Sequence, residues 1–167
     1  MAMKTGTGEF ETKVPGDSSY LDEVWDLKEK IRKQEGYLCQ TWNFFSDAYV
    51  QNTGYLYFDD GELVGFLTVR DDGYILFLGI EPEYRGRGIG RLLIEKVESE
   101  YDKITCHARE SNENAISFYQ HLDFEVESHI NSYYQNGDSA YYLVKRVGND
   151  DSASWKDRLS EVISGEE

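Results

Sequence analysis

The densest run of groups able to do chemistry is Leu78-Gly79-Ile80-Glu81-Pro82-Glu83-Tyr84-Arg85-Gly86-Arg87-Gly88-Ile89-Gly90-Arg91, where an apolar stretch passes into a glycine-rich turn that opens a helix. Tyr74, Ile75, Leu76, Phe77 and Leu78 suit a buried strand, and Ile89, Leu92, Leu93 and Val97 recur at helical spacing. The glycines therefore sit at a helix N-terminus. There the first backbone N–H groups lack acceptors within the helix, the macrodipole is positive, and glycine lets an anion approach the main chain. Arg85, Arg87 and Arg91 crowd the same end against the dipole, a conflict that a bound polyanion removes. The pattern predicts a seat for a pyrophosphate, against the plainer reading of a solvent-facing turn. It is no Walker loop, lacking the Gly-Lys-Ser/Thr ending, and Gly86-x-Gly88-x-Gly90 has the wrong spacing for a dinucleotide fingerprint.

Two other residues carry groups that could move a proton. Tyr119 lies on one helical face with Ala115, Phe118 and Leu122, so its spacing alone favours a core aromatic. A phenol of pKa about 10 can also protonate a leaving thiolate. His107, in Cys106-His107-Ala108-Arg109-Glu110-Ser111-Asn112, reads from its strand position as a satisfied core histidine, although imidazole accepts a proton near neutrality.

Arg85, Gly88 and Gly90 fit the R-x-x-G-x-G acyl-CoA loop, and the segment resembles that of the GNAT acetyltransferase superfamily. A second block, Ser111-Asn112-Glu113-Asn114-Ala115-Ile116-Ser117-Phe118-Tyr119-Gln120-His121-Leu122-Asp123-Phe124, resembles the S-N-x-x-A-x-x-x-Y-x-x-L-G-F segment of the same family, with Asp123 where glycine is usual. The resemblance covers about residues 53 to 147. It implies acetyl-CoA as co-substrate and no metal. The pyrophosphate would be held by the amides of Arg85, Gly86, Arg87, Gly88, Ile89, Gly90 and Arg91, with Asn112 also on the cofactor side. The pantetheine arm would pair with the main chain of Leu78 and Ile80 beside a bulged strand, for which Gly79 suits the bulge.

Within the family, the resemblance narrows toward protein N-terminal acetyltransferases of the ribosomal-protein-alanine type. It implies Tyr119 as general acid and His107 as general base, the latter from the L-H-V-R-x-S-N stretch of the eukaryotic-type enzymes. Tyr74 matches a tyrosine that works with this histidine through water, and equally suits a strand aromatic. Asn131-Ser132-Tyr133-Tyr134-Gln135-Asn136-Gly137-Asp138-Ser139-Ala140-Tyr141 resembles the hairpin that lines the peptide N-terminus, making Tyr133 and Tyr134 substrate-binding candidates. The same segment would form an Asn-Gly hairpin turn whatever its function. The implied activity is direct acetyl transfer to an α-amino group. A small amine or a lysine side chain as acceptor, and a CoA-binding regulatory module without catalysis, are the alternatives.

These residues need an α/β scaffold to hold them. The sequence predicts a first strand over Phe10 to Val14, a helix capped by Ser18 or Ser19 and ended near Gly36, and a second helix over Trp42 to Tyr49. Strands at Tyr55 to Phe58, Leu63 to Arg70 and Tyr74 to Ile80 are separated by Asp-Gly turns, which predicts an antiparallel meander. The loop helix then runs to Tyr101, and a strand at Lys103 to Arg109, returning through it, is expected parallel to Tyr74 to Ile80 and splayed from it around the acyl-CoA site, with helices on both faces. A helix capped by Asn112 and strands at Phe124 to Ile130 and Ala140 to Arg146 close a single domain over residues 1–147. Residues 148–167 read as an acidic tail in which Trp155, Leu159, Val162 and Ile163 share a helical face.

At 167 residues, the chain suits one core. Two cysteines, Cys39 and Cys106, offer neither metal-ligand spacing nor a disulfide framework. With no apolar signal-type segment or membrane-length run, the expectation is a cytoplasmic protein without membrane contact, a monomer or homodimer. The net charge of −15 argues against nucleic acid as a partner, and its scatter along the chain predicts adaptation to concentrated salt, a halophilic trait, over an acidic docking patch.

Overall fold

The computed structural model describes residues 8–147, so the predicted tail helix lies outside the described residues. The chain has a mixed α/β fold with four α-helices and two antiparallel sheets among the described residues, and it divides into two compact units, Met1–Val97 and Glu98–Glu167.

The first unit holds β1 (Gly8–Lys13), α1 (Leu21–Glu35), α2 (Trp42–Gln51), β2 (Thr53–Asp59), β3 (Glu62–Val69) and β4 (Ile75–Ile80), followed by a 3₁₀ turn at Pro82–Tyr84 and α3 (Ile89–Glu98). Its strands form a meander in the order β1-β2-β3-β4. Asp60 (φ 56°) and Gly61 (φ 85°) are both left-handed, as the tight turn from β2 to β3 requires. Phe66 of β3 joins Val24, Leu27 and Ile31 of α1 and Phe45 and Tyr49 of α2 in one buried cluster. Gly65, its neighbour in the strand, faces the other way: a Cβ there would stand 3.0 Å from Ile89 and 3.3 Å from Leu93 of α3. Helices thus cover both faces of this sheet, and Gly65 sets how closely α3 approaches.

The cap expected of Ser18 or Ser19 is replaced by Tyr20, at φ 64° and without a side-chain cap bond. Ser19 is spent elsewhere: its N–H and hydroxyl both donate to Asp17 Oδ1, at 2.9 and 2.7 Å. The far end of α1 follows expectation, with the N–H of Gly36 (φ 81°) donating to the Arg32 carbonyl. At the end of α2, the buried Lys13 ammonium reaches back from β1 to the carbonyls of Tyr49 (2.6 Å), Val50 (3.1 Å) and Asn52 (2.6 Å). A cation there supplies donors to carbonyls at and just past the helix end, where intrahelical N–H groups run out; the Val50 carbonyl also accepts from the Gly16 N–H at 2.7 Å.

The second unit contains β5 (Lys103–Arg109), α4 (Glu113–His121), β6 (Glu125–Ile130) and β7 (Ala140–Arg146), with sheet order β5-β7-β6. Asn112 caps α4 as expected, its Oδ1 accepting from the Ala115 N–H at 3.1 Å. Asp123, where glycine was the usual residue, adopts φ 73°, and the Phe124 N–H still returns to the Tyr119 carbonyl. Aspartate is one of the few side chains that tolerates this region, so the turn is preserved.

As expected of strands splayed apart, β5 shares no ladder with β4: the two belong to different sheets, and every ladder among the described residues is antiparallel. The crossover rule fixes direction only for strands that share a sheet, and β5 takes its ladder from β7 instead.

Candidate active site

Arg85 leaves the 3₁₀ turn in extended conformation, and Gly86 (φ 79°) and Gly88 (φ 86°) then place the chain twice in the left-handed region. Alternation of this kind turns successive N–H groups toward one side, the geometry of an anion-binding nest. Neither glycine has any atom within 4 Å of where a Cβ would stand, so the glycines are required by backbone conformation and the space beside them is open. The Leu92 N–H donates to the Gly88 carbonyl at 3.0 Å, which makes Gly88 the cap of α3. The N–H groups of Ile89, Gly90 and Arg91 are then the first-turn donors that a helix cannot use itself.

The three arginines of this loop do different work. Arg85 pairs with Glu35 at the end of α1 and donates to the Ile80 carbonyl at 3.1 Å, pinning the loop to its own scaffold. Arg87 donates to the Glu83 carbonyl at 3.3 Å and lies over the Tyr84 ring. Arg91 is exposed on the first turn of α3. The loop thus offers main-chain donors ringed by three exposed cations, two of them tied to the loop's own scaffold.

The strand leading to the loop departs from expectation in one respect. Thr68 pairs with Phe77 and Val69 with Ile75, so the extra residue of the bulge is Leu76, whereas Gly79 sits in regular register opposite Phe66. Gly79 answers a packing demand instead: a Cβ there would come within 2.6 Å of Phe66 and 2.9 Å of Ile31. Among the described residues, β4 is an edge strand. The Glu81 N–H donates inward to Val64 at 2.8 Å, so by strand alternation the main-chain groups of Leu78 and Ile80 face the outer edge. Tyr74 precedes β4, half-buried, with the Arg70 guanidinium 4.6 Å from its ring centre.

In the second unit, alternation puts Ile104, Cys106 and Ala108 on one face of β5 and Thr105, His107 and Arg109 on the other. Tyr119, only 7% exposed, hydrogen-bonds Cys106 and packs edge-on to Phe124 at 5.0 Å. Burial pushes the Cys106 thiol up to about 12 against that hydrogen bond, so the tyrosine faces a neutral thiol at neutral pH. His107 lies on the opposite face, its ring stacked on Tyr133 with centres 4.4 Å apart and tilted on Tyr142 at 5.0 Å. The Tyr133 hydroxyl stands 3.5 Å from His107 Nδ1, and burial holds the histidine below its ordinary pKa. An imidazole so placed is neutral at pH 7 and able to accept a proton.

His107, Tyr133 and Tyr134 are thus brought together, while Tyr119 sits across the strand from them and Asn112 spends its carbonyl oxygen on the α4 cap. Both faces of β5 meet at an edge that carries no ladder among the described residues. Three partners escaped sequence reasoning: Cys106 beside Tyr119, Glu35 beside Arg85, and Arg109 beneath Tyr134, with the guanidinium carbon 3.9 Å from the ring centre. Only the last had a visible signal, its two-residue spacing from His107.

Residues 18–124 match the family described as acetyltransferase (GNAT) family, and the chain belongs to it. Among curated relatives, it is 28% identical to the peptidyl-lysine N-acetyltransferase YiaC of Escherichia coli over 81 residues, 48% of this chain and 56% of the relative. The chain thus spans little more than half the length of that relative. Among solved structures, it resembles Ard1 from Thermoplasma volcanium (TM-score 0.70, 19% identity, 85% of this chain and 99% of that one). It also resembles the ribosomal-protein-S18-alanine N-acetyltransferase of E. coli (TM-score 0.69, 17% identity, 87% and 97%). At such identities these likenesses speak to fold. No helix among the described residues is long and apolar enough to cross a membrane, and they contain no cluster of acidic, histidine and cysteine side chains able to hold a metal.

Proposed function

We propose that the chain transfers acetyl from acetyl-CoA directly to the α-amino group of protein N-termini. The observation that carries the acceptor assignment is the stacking of Tyr133 on a neutral, half-buried His107 beneath the β6–β7 hairpin. The likeness to the S18-alanine enzyme supports it at the level of fold.

The open glycine turn and the first amides of α3 fit a pyrophosphate, and the outer edge of β4 at Leu78 and Ile80 fits an extended amide-bearing arm. The co-substrate supplies an acetyl thioester, whose carbonyl carbon the amine nitrogen attacks as the carbon–sulfur bond breaks. His107 takes the amine's proton, and Tyr119 gives a proton to the departing thiolate. A depressed imidazole is a modest base. It suits an α-amine of pKa about 8 better than a lysine of about 10.4, because the former is partly neutral already.

The second reading, a peptidyl-lysine acceptor, is favoured by the activity in the name of the E. coli relative. Incubation with acetyl-CoA and a peptide library of mixed first residues, each carrying an internal lysine, separates the readings by mass spectrometry. Acetyl groups on Nα are expected. Acetyl groups on Nε alone would overturn the acceptor assignment, and acetyl-CoA binding without transfer would favour the regulatory module.

A further inference from the structure

We propose that Arg109 is a positioning residue for acceptor recognition: it clamps the Tyr133–Tyr134 hairpin onto β5 and so fixes the His107 ring beneath Tyr133. The inference rests on the acceptor reading above for its meaning in catalysis, though the clamp itself is a matter of geometry.

Arg109 ends β5 on the same face as His107, two residues away, with its side chain 16% exposed. Its Nη1 donates to Asp138 Oδ2 at 2.9 Å and to Asn136 Oδ1 at 3.2 Å, while its guanidinium plane lies under Tyr134. The hairpin thus places successive tyrosines over alternate residues of one strand: Tyr133 over His107, Tyr134 over Arg109. The two tyrosine rings lock edge to face, 4.9 Å apart at 87°. Movement of Tyr134 therefore carries Tyr133 with it.

The hairpin's own bonds hold its turn, not its seat on β5. The Tyr134 N–H donates to the Asp138 carbonyl at 3.0 Å, the Asp138 N–H to Asn136 Oδ1 at 3.0 Å, and the Gly137 N–H to the Tyr134 carbonyl at 2.9 Å. The strand ladder pairs Arg109 with Ala140, and the Glu110 N–H donates to the Ser139 carbonyl at 2.9 Å. From Ser132 to Asp138, the segment meets β5 through the Arg109 pair with Asp138, the bond to Asn136, the two ring stacks and the long 3.5 Å contact of the Tyr133 hydroxyl with His107 Nδ1, and Arg109 supplies the charged part of that seat. A planar fork that ion-pairs and stacks at once is work a lysine does poorly. Tyr134 is itself buried enough that its hydroxyl is pushed up to about 12, so it serves as a neutral platform throughout the physiological range.

The test compares Arg109→Ala, Arg109→Lys and Asp138→Asn with the wild-type chain. Three readouts apply: steady-state kinetics with an N-terminal peptide taken from the library, calorimetric acetyl-CoA binding, and the ring-proton NMR shifts of His107. Arg109→Ala is expected to raise the peptide KM about tenfold, the scale of one charge-assisted hydrogen bond, while acetyl-CoA affinity stays within about twofold. The His107 ring protons should lose the shielding of Tyr133. Asp138→Asn, at a partly exposed position that is safe for folding, should give an intermediate effect, and Arg109→Lys should restore little of the ring shift. An unchanged peptide KM or an unchanged His107 shift in Arg109→Ala overturns the proposal, as does a parallel loss of acetyl-CoA affinity. If the wild type acetylates no N-terminus, the acceptor reading falls, and the His107 shifts still decide whether Arg109 holds the hairpin.

Discussion

At the residue scale, the two faces of one strand carry different chemistry. His107 and Cys106 are neighbours in sequence and opposite in aspect, so the candidate base and the candidate acid, Tyr119, act from different sides of β5. Burial lowers the His107 pKa, so protonation of the imidazole is deferred to lower pH than in a free histidine. The expected consequence is an acidic limb in the kcat/KM profile lying below the ordinary value of about 6.5. In His107→Ala that limb should vanish and kcat should fall by about 10² or more, with acetyl-CoA binding preserved. A limb at or above the free-histidine value, or a loss of turnover below about threefold, would return His107 to packing alone. Tyr119→Phe deletes only the hydroxyl while keeping the ring against Phe124. Turnover should fall while the melting temperature barely moves, and wild-type turnover in this variant would pass the acid's role to solvent.

At the element scale, backbone conformation and helix ends decide more than side-chain chemistry does. Gly88 must adopt φ 86°, a region costly for any β-branched residue. Gly88→Val is therefore expected to weaken acetyl-CoA binding at least about fivefold and more than Arg91→Ala does, by calorimetric titration; the reverse order would refute a cradle built of main-chain amides. Lys13 plays the corresponding part at the end of α2. Burial lowers it to about 8, so between that value and 10.5 the unfolded chain binds more protons than the folded one, and stability owed to this residue rises with pH across the window. Lys13→Met should cost about 1–3 kcal/mol in urea unfolding by deleting the three hydrogen bonds its ammonium donates, although the Val50 carbonyl keeps its bond from the Gly16 N–H, and should abolish that slope. A slope that persists in the variant would assign it to other groups. These elements show how far periodicity carries. The strands, the four helices, the Asn112 cap and both Asp-Gly turns were legible because they depend on neighbours in sequence. The Lys13 cap, the clash that makes Gly79 a glycine, and the seating of Arg109 on Asp138 were not, because each is made by register between distant segments.

At the scale of the whole molecule, part of the scattered acid lies along sheet edges. Among the described residues, β1 and β6 are edge strands, and each carries acidic residues along its exposed length: Glu9 and Glu11 on the one, Glu125 and Glu127 on the other. Charges on an open edge oppose pairing with another chain, so part of the acid excess guards the edges. Guarding edges needs only a few such residues, and a net charge of −15 exceeds the magnitude of about 2 to 8 that solubility asks of a small domain. The surplus makes the folded chain repel itself in dilute buffer. Some acids are absorbed by ion pairs such as Lys145 with Glu98 and Arg109 with Asp138. The expanded chain spreads the remainder farther apart, so repulsion favours unfolding. Screening shortens from about 10 Å at 0.1 M salt to about 3 Å at 1 M, a change that suppresses repulsion between exposed acids while leaving the partly buried pairs largely intact. The melting temperature is therefore expected to rise by several degrees between dilute buffer and molar KCl. Replacing Glu9, Glu11, Glu125 and Glu127 together with glutamine should flatten that response, since it removes like charge without touching the core. A midpoint that is unchanged or lowered by KCl in the wild-type chain would show that the acid excess serves the edges or a basic partner, and would remove the case for adaptation to brine.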